Sequence, residues 1–137
     1  KLHTKTCTEA GIDEGTLLAT QERQENLAYT RYVLDAGHSG DLLDLLAALA
    51  PCVMGYGEIG SHLAATKSSD VYAEWINTYA SPEYQQVCKD VGVLIDGAVA
   101  RRLGANPMTS PRWTVLQARF AMATQLEVSF WEMGLTP

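Results

Sequence analysis

A chain of 137 residues with formal net charge −6 is one domain by length, able to bury about two thirds of the surface its unfolded form exposes. Its 10 basic residues, against 16 acidic ones, form no stripe that could follow phosphates or an anionic bilayer. Nucleic acid and membrane surfaces are therefore excluded as expected partners.

The chain opens at Lys1, and "KLHTKTCTEAGI" reads as the last turns of a helix ending near Ala10, with more of the domain expected upstream. The next stretch, "GIDEGTLLATQERQ", mixes Gly, acidic and polar residues and predicts a loop with at most one helical turn around Leu17 and Leu18. From about Glu25, residues Leu27, Tyr29, Val33, Leu34 and Ala36 have helical spacing, and Gly37 and Gly40 supply the stop. Asp41 is placed to cap the helix that follows.

That helix runs from Leu42 to about Thr66 and is the most apolar part of the chain, so it should be central. No apolar run is read as approaching the roughly 20 residues that span a bilayer, and no signal-peptide pattern is seen. "KSSD" then breaks the chain, its serines available to cap a helix carrying Tyr72, Trp75, Ile76 and Tyr79. In "ASPEY", Ser81 is an N-cap and Pro82 the first helical residue, where a missing amide costs nothing. Val87, Val91, Leu94, Ile95, Ala98 and Leu103 form the stripe of the next helix, which ends at Gly104 and Asn106. Ser110 and Pro111 start the last helix, with Leu116, Phe120, Ala123, Glu127, Phe130 and Trp131 near one stripe and Gly134 and Pro137 at its end. With no sustained strand alternation and no internal repeat, the reading is all-α.

Within the apolar segment "LAALAPCVMGYGEIG", an advance of about 100° per residue puts Leu45, Ala48, Leu49, Cys52, Tyr56, Ile59 and Leu63 on one face. Pro51 should bend the helix beside Cys52, and Gly55 and Gly57 leave room for close approach. A thiol here is either a small buried hydrophobe or a reactive group. Glu127 is the sharper candidate. A carboxylate in an apolar stripe is desolvated, which raises its pKa and suits it to acid/base work. The alternative is a structural pair with Arg31 or Arg119. Six tyrosines, Tyr29, Tyr32, Tyr56, Tyr72, Tyr79 and Tyr84, could line an aromatic box with polar tips or be ordinary core residues. The cysteines Cys7, Cys52 and Cys88 are odd in number and lack CxxC spacing, which fits a reducing, cytoplasmic setting. His3, His38 and His62 form no paired ligand spacing, so no metal or other cofactor is expected.

Taken together, "LAYTRYVLDAGHSGDLLDLLAALAPCVMGYGEIG", "EWINTYASPEYQ" and "QLEVSFWEMG" resemble the C-terminal part of the TenA family, the thiaminase II or aminopyrimidine aminohydrolase proteins of thiamin salvage. The Pro-Cys-x-x-x-Tyr-x-Glu-x-Gly and Glu-x-x-Phe-Trp elements are specific when they occur together. The resemblance implies a haem-oxygenase-like helical bundle that binds no haem, usually a homotetramer. The reaction implied is hydrolysis of 4-amino-5-aminomethyl-2-methylpyrimidine to the hydroxymethyl compound and ammonia, with thiamin as a slower substrate. By the same resemblance Cys52 is the nucleophile and Glu127 the acid/base. Tyr56 and Tyr79 lie near the substrate, Tyr29 lines the pocket, and Phe130 packs on the pyrimidine. The family's N-terminal third, with an acidic residue that grips the substrate, has no counterpart in this sequence, so residues 1–137 are expected to be the C-terminal portion of a TenA-like domain. A non-catalytic helical module that holds an aromatic heterocycle is the alternative, and a di-iron bundle is disfavoured by the lack of paired Glu/His spacing.

Overall fold

The computed structural model describes the backbone of residues 2–66 and 70–136, with side chains from residue 4. Seven α-helices and two 3₁₀ turns, with no strand, make up the described residues. They are α1 (Leu2–Glu9), α2 (Glu14–Ala19), α3 (Gln24–Ser39), α4 (Leu42–Thr66), α5 (Ala73–Ala80), α6 (Pro82–Leu103) and α7 (Pro111–Glu132), with 3₁₀ turns at Pro107–Thr109 and Met133–Leu135.

Local capping chemistry accounts for several of these boundaries. Ser81 Oγ accepts from the Tyr84 amide at 3.1 Å, and Ser110 Oγ from the Arg112 amide at 3.3 Å, each just before a proline at the first helical position. Gly104 ends α6 at φ 79°, in the left-handed region glycine tolerates. Asp41 Oδ1 accepts from the Leu43 amide at 2.7 Å, and Asp44 Oδ2 accepts from the Asp41 amide at 2.8 Å. This reciprocal arrangement is a capping box with aspartate at both positions. The segment read as a loop contains α2 because the Asp13 carboxylate caps it through the Thr16 amide at 2.9 Å. Gly37 lies inside α3 rather than ending it, and Gly40 alone is the stop. The capping serines Ser68 and Ser69 and the stop at Pro137 lie outside the described residues, as does the His3 side chain.

Central to the arrangement is α4, on which α3, α5, α6 and α7 all pack. At 25 residues, with an 18-residue window of mean hydropathy 1.5, α4 is by length and composition alone long and apolar enough to cross a membrane. This corrects the expectation that no apolar run approaches bilayer length: Pro51 and the glycines interrupt the run in sequence but not the helix. Contacts with four helices explain the same composition as a core helix. Two apolar clusters hold the elements together. One joins α3, α4 and α7 through Tyr29, Ala36, Ala48 and Ala123, and the other joins α4, α6 and α7 through Leu43, Ala98 and Leu116.

Several residues assigned to buried stripes are exposed instead. Leu27, Leu34, Ile59, Val87, Leu94, Phe120 and Trp131 all keep more than a third of their surface in solvent. Periodicity identifies an apolar face, but neighbouring elements decide how much of it is covered. Glycine roles also shift. A Cβ at Gly57 would lie 2.6 Å from Cys88 Sγ, and one at Gly60 would lie 2.7 Å from Tyr79 Cβ, so these two positions let α5 and α6 approach α4. At Gly55 a Cβ would meet nothing within 4 Å, so the close approach expected there is absent among the described residues.

Candidate active site

Cys52 follows Pro51 on α4 and is half-buried, its Sγ 3.3 Å from the Leu49 carbonyl to which it donates. The thiol packs against the cluster formed by Tyr29, Ala36, Ala48 and Ala123. Burial pushes its pKa up. Tyr29 nearby lowers it, and the Glu127 carboxylate raises it further.

Glu127 is buried at 7% exposure. Burial raises its pKa, and Tyr29 offsets only part of the rise. Neither candidate arginine reaches it: Arg119 Nε binds Asp44 at 2.9 Å, and Arg31 binds Glu22 at 3.1 Å. The Tyr29 hydroxyl lies near both the Cys52 thiol and the Glu127 carboxyl, and burial followed by these two neighbours raises its pKa steeply. Yet no hydrogen bond of normal geometry joins the three. Among the described residues, the Tyr29 hydroxyl and Glu127 Oε2 are the buried side-chain polar atoms without a hydrogen-bond partner.

Tyr56, one turn beyond Cys52, belongs to an aromatic cluster. Its ring centroid lies 5.2 Å from Tyr79, 5.4 Å from Trp131 and 6.0 Å from Trp75, while Trp75 and Tyr79 are 4.5 Å apart. These tilted geometries suit the ring quadrupoles. Burial raises the Tyr56 hydroxyl's pKa, with Glu127 the next contributor. Tyr84 closes the cluster edge-on to Tyr79 at 4.8 Å and donates to the Val53 carbonyl at 3.1 Å, with burial pushing its pKa up to about 12. Tyr32 leans on α7 instead, beneath the Arg119 guanidinium at 5.7 Å.

Glu127 and Tyr56 line a groove of about 640 Å³ between α4 and α7, together with Pro51, Gly55, Thr124 and Trp131. Cys52 is not part of that lining and packs instead against the cluster shared by α3, α4 and α7. A larger, apolar groove of about 840 Å³ between α4, α6 and α7 carries none of the candidate residues. Phe130 is half-buried and its ring lies edge-on to that of its chain neighbour Trp131 at 6.4 Å. The structure thus brings Tyr29, Cys52 and Glu127 together, and joins Tyr56 and Tyr79 to Glu127's groove through a shared aromatic wall.

Sequence reasoning missed two parts of this assembly. The sequence pattern places Trp75 and Trp131 only in apolar stripes, and the fold makes them part of the aromatic wall. Asp44 was not singled out at all, yet it is 1% exposed and bound by both Arg112 and Arg119. The Asp-x-x-Asp spacing of Asp41 and Asp44 was the available signal for it. Burial alone would raise its pKa, but the hydrogen bond from Arg112, that from the Asp41 amide and the two guanidinium charges hold it at about 2.

The fold defines the class of protein, an all-α helical bundle, here with a thiol, a carboxyl and a phenol close to an aromatic-walled groove. Residues 1–136 match the TENA/THI-4/PQQC family, and the chain belongs to that family. It is 61% identical to a protein of Silicibacter sp. TM1040 whose crystal structure is described as a TenA family transcription regulator. The two superpose with a TM-score of 0.96 over 99% of this chain and 60% of that one. An uncharacterized protein of Haemophilus influenzae is 36% identical over 98% of this chain and 61% of its own length. An aminopyrimidine aminohydrolase of Halalkalibacterium halodurans is 33% identical over 97% of this chain and 58% of its own. The chain therefore spans about three fifths of the length of these relatives.

Proposed function

We propose that the protein carrying this chain hydrolyses 4-amino-5-aminomethyl-2-methylpyrimidine to the hydroxymethyl compound and ammonia, and also cleaves thiamin, with Cys52 as nucleophile and Glu127 as acid/base. Residues 1–137 are then the C-terminal portion of one TenA-like helical domain, assembled as a cytoplasmic homotetramer. The observation that supports the reaction is the pair of unpartnered polar atoms, Tyr29 hydroxyl and Glu127 Oε2, buried beside a thiol. Buried polar groups are nearly always hydrogen-bonded, so two left open in one place suit a ligand with a donor and an acceptor edge. A neutral aminopyrimidine has both. Tyr56 and Tyr79 lie near the substrate, Tyr29 lines the pocket and Phe130 packs on the pyrimidine ring, and the net charge of −6 disfavours nucleic acid as the ligand.

The chemistry follows from the pKa directions. The resting thiol is neutral, so its proton must leave as the sulfur attacks, and Glu127 is the base within electrostatic reach. A C–S bond forms to an electron-poor ring carbon while Glu127 passes the proton to a ring nitrogen. The electron pair gained by the ring expels the exocyclic amine from its protonated, ammonium form, so that it leaves as neutral ammonia. Water adds at the exocyclic carbon and gives up a proton to solvent, and the C–S bond breaks as Glu127 returns the ring-nitrogen proton to sulfur, which restores the aromatic ring and the thiol.

The test is ammonia release by the full-length protein. The unsubstituted enzyme should turn over, and Cys52→Ala should lose at least about 10³-fold; full activity in a folded Cys52→Ala protein would overturn the nucleophile. One observation favours a second reading, a binding module without catalysis: burial raises the pKa of Cys52 and Cys88 alike. Alkylation separates the two readings. A nucleophile reacts faster than Cys88 and is protected by the pyrimidine, whereas an inert thiol shows neither behaviour.

A further inference from the structure

The contacts between α4 and α7 repeat with a constant offset. Asp44 binds Arg119 through Nε at 2.9 Å. Ala48 and Ala123, both with no exposed surface, meet in the same apolar cluster. Cys52 and Glu127 are electrostatic neighbours, and the Tyr56 and Trp131 rings lie 5.4 Å apart. Each step is four residues along both helices, and each pair is 75 residues apart in sequence. The helices therefore run in the same direction, one rung for every helical turn, or about 6 Å.

Only the first rung is selective about register. Alanine against alanine slides at little cost, and aromatic rings accept several geometries. The Asp44 carboxylate, by contrast, is 1% exposed and held by Arg119, by Arg112 and by the Asp41 amide. A slip of α7 by one turn carries Arg119 away and exposes a buried charge to weaker pairing. Choosing a register is the best-attested use of a buried ionic group.

We propose that the Asp44–Arg119 pair, with Arg112 as its second arm, sets the register of α4 against α7 and so holds Cys52 opposite Glu127 two turns further on. Asp44 and Arg119 are positioning residues: neither lines the groove of Glu127. This inference rests on the reaction proposed above, because register matters to function only if the two groups act together.

The test reads the coupling of Cys52 to Glu127 rather than turnover. In the full-length protein, the pH profile of Cys52 alkylation by iodoacetamide is followed peptide by peptide, which separates it from Cys7 and Cys88. Glu127→Gln should move the Cys52 profile to lower pH, since the nearby carboxylate raises the thiol's pKa. In an Arg119→Gln or Asp44→Asn background that move should shrink or vanish. Arg119→Gln leaves Arg112 on Asp44, so it decides the matter even if Asp44→Asn does not fold. An undiminished shift in Arg119→Gln overturns the inference, as does the absence of any shift on Glu127→Gln alone. A protein that shows the coupling but releases no ammonia retains the register and loses the proposed reaction, so the two failures are distinguishable.

Discussion

Two carboxylates are buried among the described residues, Asp44 at 1% exposure and Glu127 at 7%, on facing helices. Asp44 is bound by two guanidinium groups and a backbone amide and titrates at about 2. Glu127 has no ion pair among the described residues, an unpartnered Oε2 and a raised pKa. The same chemical group is a clamp at one end of the α4–α7 contact and a candidate acid at the other. What differs is whether the fold supplies a cation. A paired buried charge is committed to structure, whereas an unpaired one is maintained at a cost in stability, which marks it for function.

Exchanging each carboxylate for its amide should break this contrast. In the full-length protein, Glu127→Gln should lower aminopyrimidine turnover by about 10²- to 10⁴-fold, the usual range for a general acid or base, with stability unchanged or slightly increased. Asp44→Asn should instead destabilise by about 3–5 kcal/mol, because Arg112 and Arg119 lose their buried partner. Denaturant unfolding beside ammonia assays measures both. Equal stability losses in the two variants would remove the distinction.

The pH dependence of stability should have opposite signs at the two sites. The Asp44 pKa is lowered on folding, so its contribution is present above the ordinary aspartate value and is lost as pH falls toward 2. The Glu127 pKa is raised, so its contribution is full below the ordinary glutamate value and is lost as pH rises through the raised one. The gap between unsubstituted protein and Asp44→Asn should therefore close in acid. The gap to Glu127→Gln should move against the unsubstituted protein as pH rises from the ordinary glutamate value through the raised one. A pH series of unfolding midpoints reads both signs at once.

The smallest effects concern two glycines of α4. Gly57→Ala should cost about 1–3 kcal/mol, since its Cβ would strike Cys88 Sγ in a packed interface. Gly55→Ala, facing open space on the same helix, should be neutral or stabilise by up to about 1 kcal/mol. Thermal unfolding of the two variants side by side would show whether crowding on α4 is confined to the face toward α5 and α6.

Much of the architecture was legible along the chain because it rests on local chemistry. Asp41, Ser81 and Ser110 with their prolines, and Gly104 with its positive φ, mark helix ends through neighbours only a few residues away. Cys52, Tyr56 and Glu127 could be singled out for the same reason, since a thiol, a phenol and a carboxyl in apolar stripes need only helical geometry to be noticed. The exposure of Phe120 and Leu94, and the empty space beside Gly55, were not legible, because coverage depends on elements far away in sequence.

The sequence by itself determined the helices other than α2, the apolar character of α4 and the short set of groups able to carry chemistry. Only the tertiary structure decided which carboxylate Arg119 would take. Sequence spacing left Arg119 as a partner for Glu127, eight residues away on its own helix, and the fold gave it to Asp44, 75 residues distant. The physical reason is that ion pairing follows distance across the α4–α7 interface, and that distance depends on register, which no local pattern encodes. With Arg119 engaged at the first rung, Glu127 is left unpaired beside Cys52 and Tyr29.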